Sequence, residues 1–292
     1  MNTRLDHATG LLNMVQILML HTLIIAWFWF GNEVVSGFSL YLITLIFCAI
    51  HQRHASEWLH EGLRFNIHPN RLINDFVTQF LLGAIFGVKV SRMRAAHFRH
   101  HRAKEFFFGD DVDTVYAVIR TRKDLLVSLL RDIVGISAIT SYAGVMFSER
   151  HKVVTAAEKT KTDLPFYLSV ILFYGSLFAL SILISSWALI VYIVALLSVY
   201  PVLSRLRLYG QHLEIMSDGS PRIEQSSVSR NIDGTLLDRI FISSRLMQYH
   251  REHHKYPGLP FRSLARIARS DYSNANVCVR SHWPIFVSLW RL

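Results

Sequence analysis

Lysine and arginine are absent from two long apolar stretches of this chain, residues 13–50 and 164–204. A helix needs about 20 apolar residues to cross the hydrocarbon core of a bilayer, so each stretch is long enough for two crossings. The whole chain is 51% hydrophobic, with a mean hydropathy of +0.29, which is too apolar for an ordinary soluble domain. The sequence therefore predicts an integral membrane protein.

Each stretch contains one short break, at residues 31–37 and at residues 185–187. We therefore predict an all-α membrane fold in a single domain, with four transmembrane helices arranged as two hairpins beneath a histidine-rich cytosolic cap. The predicted spans are residues 13–31, 35–53, 164–185 and 187–206, and the predicted cap comprises residues 54–163 and 207–292.

Two further apolar segments, residues 72–90 and 125–147, carry charged side chains such as Asp75 and Asp132. A charge costs about 2.5–3.5 kcal/mol at the centre of a bilayer. We expect these segments to form helices at the membrane interface, although a fifth or sixth span remains compatible with the pattern.

The net charge of +10 comes from basic residues outside the two stretches. This placement follows the positive-inside rule and predicts that both termini and the middle segment are cytoplasmic. It also explains the basic charge without a nucleic-acid partner. The first apolar run is about a full span long and lacks a small-residue cleavage site, so we expect a retained helix rather than a signal peptide. A bacterial inner membrane and the endoplasmic reticulum fit equally well.

The pattern His-x-x-His-His occurs twice, at residues 97–101 and 250–254. Steps of three and four residues place side chains on one face of a helix, so each triplet can direct several imidazoles to one point. Two cysteines are too few for an iron–sulfur site, and neutral imidazole is a common metal ligand. With two further histidines the count suits a dinuclear centre. The candidate ligands are His60, His97, His100, His101, His212, His250, His253 and His254.

These motifs resemble the histidine boxes of the membrane fatty acid desaturase and hydroxylase superfamily. The segment YHREHHKYPGLPF at 249–261 is similar to the third box, HFRHH at 97–101 to the second, and RLYGQH at 207–212 to the isolated histidine that follows the last span. The resemblance runs from about His54 to Leu264. It implies that the histidines bind two iron ions, that O2 is a co-substrate, and that a cytosolic cap lies over a membrane stem.

The first box departs from the family pattern. In LHEGLRFNIHPNRLIND, at residues 59–75, His60 matches the box, but Arg64 stands where a second histidine is expected. Glu57 lies three residues before His60 on the same helical face, and His68 lies about 80° around the helix from His60 if the helix continues. Both are candidate replacement ligands. Glu57 pairing with an arginine and His68 covering an interface are the alternatives.

Other polar residues are candidates for orienting the ligands through hydrogen bonds, because metal-bound histidines usually donate their second ring nitrogen to an acceptor. Arg64 suits a contact with a nearby carboxylate. Asp110 and Asp113 suit contacts with imidazole, or else a solvated acidic turn. Asn231 suits a hydrogen bond near the metal, or else a turn cap.

The resemblance implies an oxidoreductase that desaturates an acyl chain or related lipid-like substrate by C–H abstraction. A hydroxylase or ketolase acting on a lipid, terpenoid or specialised metabolite is the first alternative. A non-catalytic membrane protein that binds metal or lipid is the second, because one expected ligand is missing. The sequence carries no haem, flavin or cysteine-cluster motif. A separate electron donor of the ferredoxin, rubredoxin or cytochrome type is therefore expected.

Overall fold

The computed structural model describes residues 5–102, 121–147, 163–184, 187–222, 227–268, 274 and 276–292. This part of the chain is mostly helical. Its α-helices are α1 His7–Val34, α2 Gly37–Leu63, α3 Arg71–Val77, α4 Val90–His100, α5 Arg122–Ile133, α6 Ile136–Phe147, α7 Leu164–Leu183, α8 Ala188–Leu197, α9 Val199–His212, α10 His250–Lys255, α11 Phe261–Ile267 and α12 Trp283–Leu289.

Three helical segments of the described chain are long and apolar enough to cross a membrane: His7–Gly31, Leu164–Leu183 and Ala188–His212. Segments Arg71–Phe86 and Val90–His100 pass the same test as a pair, bent by 85°, and would make a fourth span if they form one. These helices fit an integral membrane protein. The number of spans and their pairing into two hairpins stay predictions.

Residues 37–53 of the predicted span 35–53 lie in α2, which is not among these three segments. The reason is that polar residues begin at His51 and are buried inside the protein. The His51 ring contacts the Tyr192 hydroxyl at 2.9 Å, and Gln52 donates to the backbone carbonyl of Tyr192 at 2.9 Å. The second half of α2 is therefore an interior helix, and it carries His60 toward the cap.

The segment predicted as an interface helix at 72–90 is broken rather than continuous. After α3 it continues as a π-helix, Thr78–Leu82, and a 3₁₀-helix, Gly83–Phe86. Gly87 then adopts a left-handed conformation with φ of 57°, which glycine tolerates better than other residues. This turn starts the 85° bend that directs α4, and the histidines at its end, toward the interior.

A buried ion pair attaches α5 to α9. The guanidinium of Arg205 donates to both carboxylate oxygens of Asp132, at 2.5 and 2.9 Å. A bidentate pair of this kind is geometrically specific. The predicted interface helix 125–147 is divided into α5 and α6 at Gly135, where φ is 82°.

Short strands and a buried arginine stabilise the segment after α9, which belongs to the predicted cap. Arg230 is fully buried and donates to the carbonyls of Gly210, at 2.7 Å, and of Leu213 at the end of α9. In the described part of the cap, β1 pairs antiparallel with β2, and β3 pairs parallel with β4. The strands are β1 Glu214–Ile215, β2 Pro221–Arg222, β3 Asn231–Ile232 and β4 Cys278–Val279.

Candidate metal centre

Four helices bring the predicted ligands together. Helices α2, α4 and α9 all end at the site, and α10 crosses it. A helix C-terminus carries a partial negative charge, so three such ends form a favourable surrounding for cations. His60 lies in the last turn of α2, His97 and His100 lie in the last turn of α4 with His101 next, His212 ends α9, and His250, His253 and His254 lie on α10.

The first histidine group consists of His60, His97, His101 and His253, whose candidate ligand atoms all lie within 4.8 Å of one another. The Nε2 atoms of His97 and His101 are 3.0 Å apart, as the i, i+4 spacing on one helical face allows. The ring centroids of His101 and His253 are 4.3 Å apart. The group therefore joins the ends of α2 and α4 to α10.

The second histidine group consists of His100, His212 and His254, again with ligand atoms within 4.8 Å of one another. His250 adjoins this group, because its Nε2 lies 2.9 Å from that of His212 and 3.1 Å from that of His254. The two groups are neighbours: the ring centroids of His101 and His254 are 4.4 Å apart. All eight predicted histidine ligands thus lie in one cluster.

Burial keeps these imidazoles in the neutral form. Desolvation, followed by the effect of nearby histidines and arginines, holds the pKa of His250, His253 and His254 well below the usual range. Burial and then His100 lower the pKa of His101 to about 3. A neutral imidazole has a lone pair available, and this is the form that binds metals.

The donor set fits two metal ions. Imidazole nitrogens about 3 Å apart need a proton or a cation between them, since their lone pairs repel. Within the described chain, the buried Nε2 atom of His253 has no hydrogen-bond partner, although it lies in the first group. Eight nitrogens exceed the needs of one four-coordinate zinc ion, so the cluster suits a dinuclear centre.

Arg64 contacts the first group instead of completing it with a further imidazole. Its side chain is buried, and Nη1 lies 2.6 Å from Nδ1 of His253. Nη2 forms an ion pair with Glu61 and lies 3.5 Å from Nδ1 of His60. Burial lowers the pKa of Arg64 to about 9, which leaves the guanidinium charged at neutral pH. The carboxylate contact expected for Arg64 is thus present, and its partner is Glu61.

The structure does not bring either candidate replacement ligand into the first group. Glu57 pairs with Arg53 at 2.7 Å and accepts hydrogen bonds from the backbone and hydroxyl of Ser244, so both of its oxygens are engaged. His68 instead packs against His7, with ring centroids 5.4 Å apart. The reason is that α2 ends at Leu63, so the helical geometry that related His68 to His60 does not apply.

Among the remaining candidates, Asn231 lies close to the third histidine motif. Its Oδ1 accepts from the backbone N–H of Arg251 at 3.0 Å, in the first turn of α10. Asp110 and Asp113 lie outside the described residues. Two contacts were missed by the sequence analysis: Glu61, which the i, i+3 spacing to Arg64 indicates, and the Val228 carbonyl, which accepts from Nδ1 of His212 at 3.0 Å and has no sequence signal.

The model of the family described as fatty acid desaturase matches residues 34–286 of this chain. The chain belongs to the fatty acid desaturase family. It is also similar to the dihydrorhizobitoxine desaturase of Bradyrhizobium elkanii, with 25% identity over 240 residues. That match covers 76% of this chain but only 65% of the relative.

Membership of the fatty acid desaturase family confirms the resemblance in the histidine motifs. The helices that are long and apolar enough to span a membrane are consistent with this membership. Desaturase family membership also implies two irons and O2, and the two histidine groups offer the ligands for such a centre.

Proposed function

We propose that this chain is an O2-dependent membrane desaturase whose eight clustered histidines hold two iron ions. The observation that carries this proposal is the meeting of histidines from four helices in two adjacent groups. Chance would rarely place eight imidazoles so close together, four of them buried, because the burial of polar rings costs free energy unless other interactions compensate for the lost hydration. A metal pair would supply such interactions.

The protein's own contribution is to hold the ligands neutral, close and in fixed directions. Side chains lack the oxidising power that is needed to break an unactivated C–H bond. Bound iron would supply that power, together with O2 and two electrons from a donor. The burial of His212, His250 and His253 would limit the access of bulk water to that chemistry. The electrons would come from a separate donor of the ferredoxin, rubredoxin or cytochrome type.

Desaturation is favoured over hydroxylation by the family and by the name of the similar Bradyrhizobium elkanii protein. The substrate would be an acyl chain or a related lipid-like molecule, as is usual for the family. The basic residues that flank the apolar helices support a metal centre on the cytoplasmic side of the membrane.

Metal content tests the proposal. We expect detergent-purified protein, expressed with iron, to contain about two irons per chain, as two-metal centres require. The double variant His253→Ala, His254→Ala removes one imidazole from each group and should lose most of this iron. A matched double variant, His7→Ala, His68→Ala, alters two histidines outside both groups and should retain it.

Product analysis under ¹⁸O2 then separates the chemistries. An alkene product without label supports desaturation, whereas label in the product indicates a hydroxylase or ketolase. The proposal would be contradicted if the protein bound no iron, or if the wild type and the His253, His254 variant bound zinc equally well. Either result would favour a non-catalytic role.

A further inference from the structure

Gly210 and His282 are in close contact at the last turn of α9, and neither belongs to the two histidine groups. A Cβ atom on Gly210 would overlap with Cδ2 of the His282 ring and would lie 3.0 Å from its Nε2. Only a residue without a Cβ atom allows the ring to approach this closely. The imidazole of His282 therefore packs directly on the backbone of α9, two residues before His212.

Asp238 holds the His282 ring in this place. Its Oδ1 accepts hydrogen bonds from the ring Nδ1 at 3.0 Å and from the His282 backbone N–H at 3.3 Å. The other oxygen, Oδ2, accepts from the backbone N–H and from the hydroxyl of Thr235, both at 2.8 Å. Because both oxygens are engaged, the carboxylate has a fixed direction. An ionised carboxylate only accepts, so Nδ1 of His282 carries a proton and the opposite edge of the ring faces Gly210.

The ring has little room to move away from α9. His282 is 0% exposed, and Ile232, whose Cδ1 would lie 3.3 Å from the same Cβ atom, is 3% exposed. Packed interiors contain few voids larger than a water molecule, so a buried ring cannot turn aside without displacing its neighbours. A methyl group added at Gly210 should therefore displace the last turn of α9.

The same turn is also held through its carbonyl groups, and it carries a candidate ligand. Nη1 of Arg230 donates to the carbonyl of Gly210 at 2.7 Å, and its backbone N–H donates to the carbonyl of Gln211 at 3.0 Å. Nε2 of His212 lies 2.9 Å from Nε2 of His250 in the second group. Since Gly210 and His212 share one helical turn, a displacement of Gly210 moves the imidazole as well.

We propose that Asp238 and His282 are positioning residues of the metal centre. The His282 ring would set the place of the last turn of α9, and with it the direction in which Nε2 of His212 enters the second group. Functional sites need their side chains within about 0.5 Å of the productive geometry, so a small displacement matters. This inference rests on the proposed metal centre. Residues that only stabilised the fold would affect both histidine groups alike.

Gly210→Ala tests the close contact. We expect the affinity of the second group for Fe²⁺ to fall about tenfold, the scale on which changes around metal ligands act, while the first group keeps its affinity. Anaerobic competition with a coloured chelator on detergent-purified protein measures both affinities. Gly175→Ala is the matched control, because a Cβ atom at this position in α7 meets nothing within 4 Å. It should leave both affinities unchanged.

The affinity of the second group is identified by adding His97→Ala to each sample. This substitution removes a candidate ligand of the first group and leaves the second group whole. The tenfold loss caused by Gly210→Ala should therefore persist in the His97→Ala background.

His282→Asn provides the rescue. The asparagine amide can still donate to Asp238, but its shorter side chain leaves space beside Gly210. Alone, this variant should weaken the second group about threefold, because α9 loses its support, and the double variant Gly210→Ala, His282→Asn should recover most of the affinity that Gly210→Ala loses, as expected for residues in contact. If Gly210→Ala does not fold, the selective loss at the second group in His282→Asn decides the question.

Two results would overturn the positioning role. One is that Gly210→Ala, or His282→Asn in its place, weakens both groups equally or leaves the second group unchanged, because the contact would then serve only the stability of the fold. The other is that the double variant binds iron no better than Gly210→Ala, because the added methyl group would then act on something other than His282.

Turnover of an acyl chain is measured on the same samples, so that the two proposals fail separately. Protein that shows the expected iron affinities but forms no alkene retains the positioning role and loses the desaturase function. Protein that forms an alkene, while Gly210→Ala binds iron as tightly as the wild type, retains the desaturase function and loses the positioning role.

Discussion

The two histidine groups share their ligand chemistry but differ at the second ring nitrogen. In the second group, Nδ1 of His212 donates to the backbone carbonyl of Val228 at 3.0 Å. This hydrogen bond fixes the tautomer, with the proton on Nδ1 and the lone pair on Nε2, as is usual for metal-bound histidine. In the first group, Nδ1 of His253 instead faces the guanidinium of Arg64 at 2.6 Å. His212 can therefore offer Nε2 to a metal, whereas Nδ1 of His253 faces a hydrogen-bond donor.

The contact with Arg64 has a direct chemical consequence. A guanidinium only donates, so Nδ1 of His253 must accept, and the proton of the neutral ring then lies on Nε2. A metal can bind Nε2 only if Arg64 withdraws or the ring changes its tautomer. Arg64 is held in place by Glu61 and lies 3.4 and 3.3 Å from the carbonyls of Pro257 and Leu259. We therefore expect the first group to bind iron more weakly than the second.

Removing one candidate ligand from each group in turn is the strongest test of this difference in iron affinity. At limiting iron, His212→Ala should lose nearly all bound metal, because it damages the tighter group. His97→Ala should keep about one iron per chain, since the second group remains whole. Elemental analysis after gel filtration measures both.

His68→Ala is the matched control for both single variants, because His68 lies outside the two groups. It should retain the wild-type iron content. Equal loss in His97→Ala and His212→Ala would mean that the two groups bind as one cooperative unit, and loss in His68→Ala would restore His68 as a ligand.

Arg64→His tests whether Arg64 causes the difference in iron affinity between the two groups. The substitution removes the donor that faces His253 and adds an imidazole near the first group, so iron affinity at that group should rise by about tenfold, the scale on which contacts to metal ligands act. Competition with a coloured chelator resolves the weaker and tighter sites. Arg64→Lys keeps the positive charge and should leave the first group weak.

The same competition experiment can also contradict this prediction for Arg64. If Arg64→His leaves the weaker site unchanged, or lowers its affinity, then Arg64 supports the metal centre and does not oppose it. An unfolded variant is recognised by circular dichroism. In that case Arg64→Gln combined with Glu61→Gln replaces the buried ion pair by two neutral amides and tests the same contact.

The sequence predicted which histidines meet in one cluster better than it predicted the membrane topology, for physical reasons. The helical spacing of His97, His100 and His101 is local, so it survives whatever the chain does elsewhere. Whether the second half of α2 lies inside the protein or at the membrane surface depends on tertiary contacts. In the sequence, His51 and Gln52 resemble the polar end of a span, but in the structure both contact Tyr192. Hydropathy cannot distinguish a polar residue in an interior helix from one at a membrane surface.

The replacement ligands show a second limit of sequence analysis. The prediction for His68 assumed a helix that continued past His60, but α2 ends at Leu63 and the next residues turn. Phe65 there has a φ of 63°, which a pattern of hydrophobic residues does not reveal. The carbonyl of Val228 is equally invisible, since every residue has a carbonyl and only the fold decides which one meets His212.

The smallest expected effect concerns Asn231, which supports α10 from β3. Asn231→Ala removes the acceptor for the backbone N–H of Arg251, and the loss of one hydrogen bond should lower the free energy of unfolding by about 1 kcal/mol. Because Arg251 is next to His250, iron affinity should fall a few-fold at the second group and less at the first. Thermal denaturation and chelator competition measure the two quantities.

Asn231→Asp keeps an accepting oxygen and replaces the amide nitrogen, which has no hydrogen-bond partner in the described chain, by a second carboxyl oxygen. Because Asn231 is buried, desolvation of the carboxyl group should lower the free energy of unfolding, but iron affinity at the second group should be retained, since the contact with Arg251 is kept. If Asn231→Ala lowers stability while the affinities of both groups stay unchanged, Asn231 only joins β3 to α10. If both groups weaken equally, α10 moves as a rigid unit, and the difference between the groups arises from Arg64 alone.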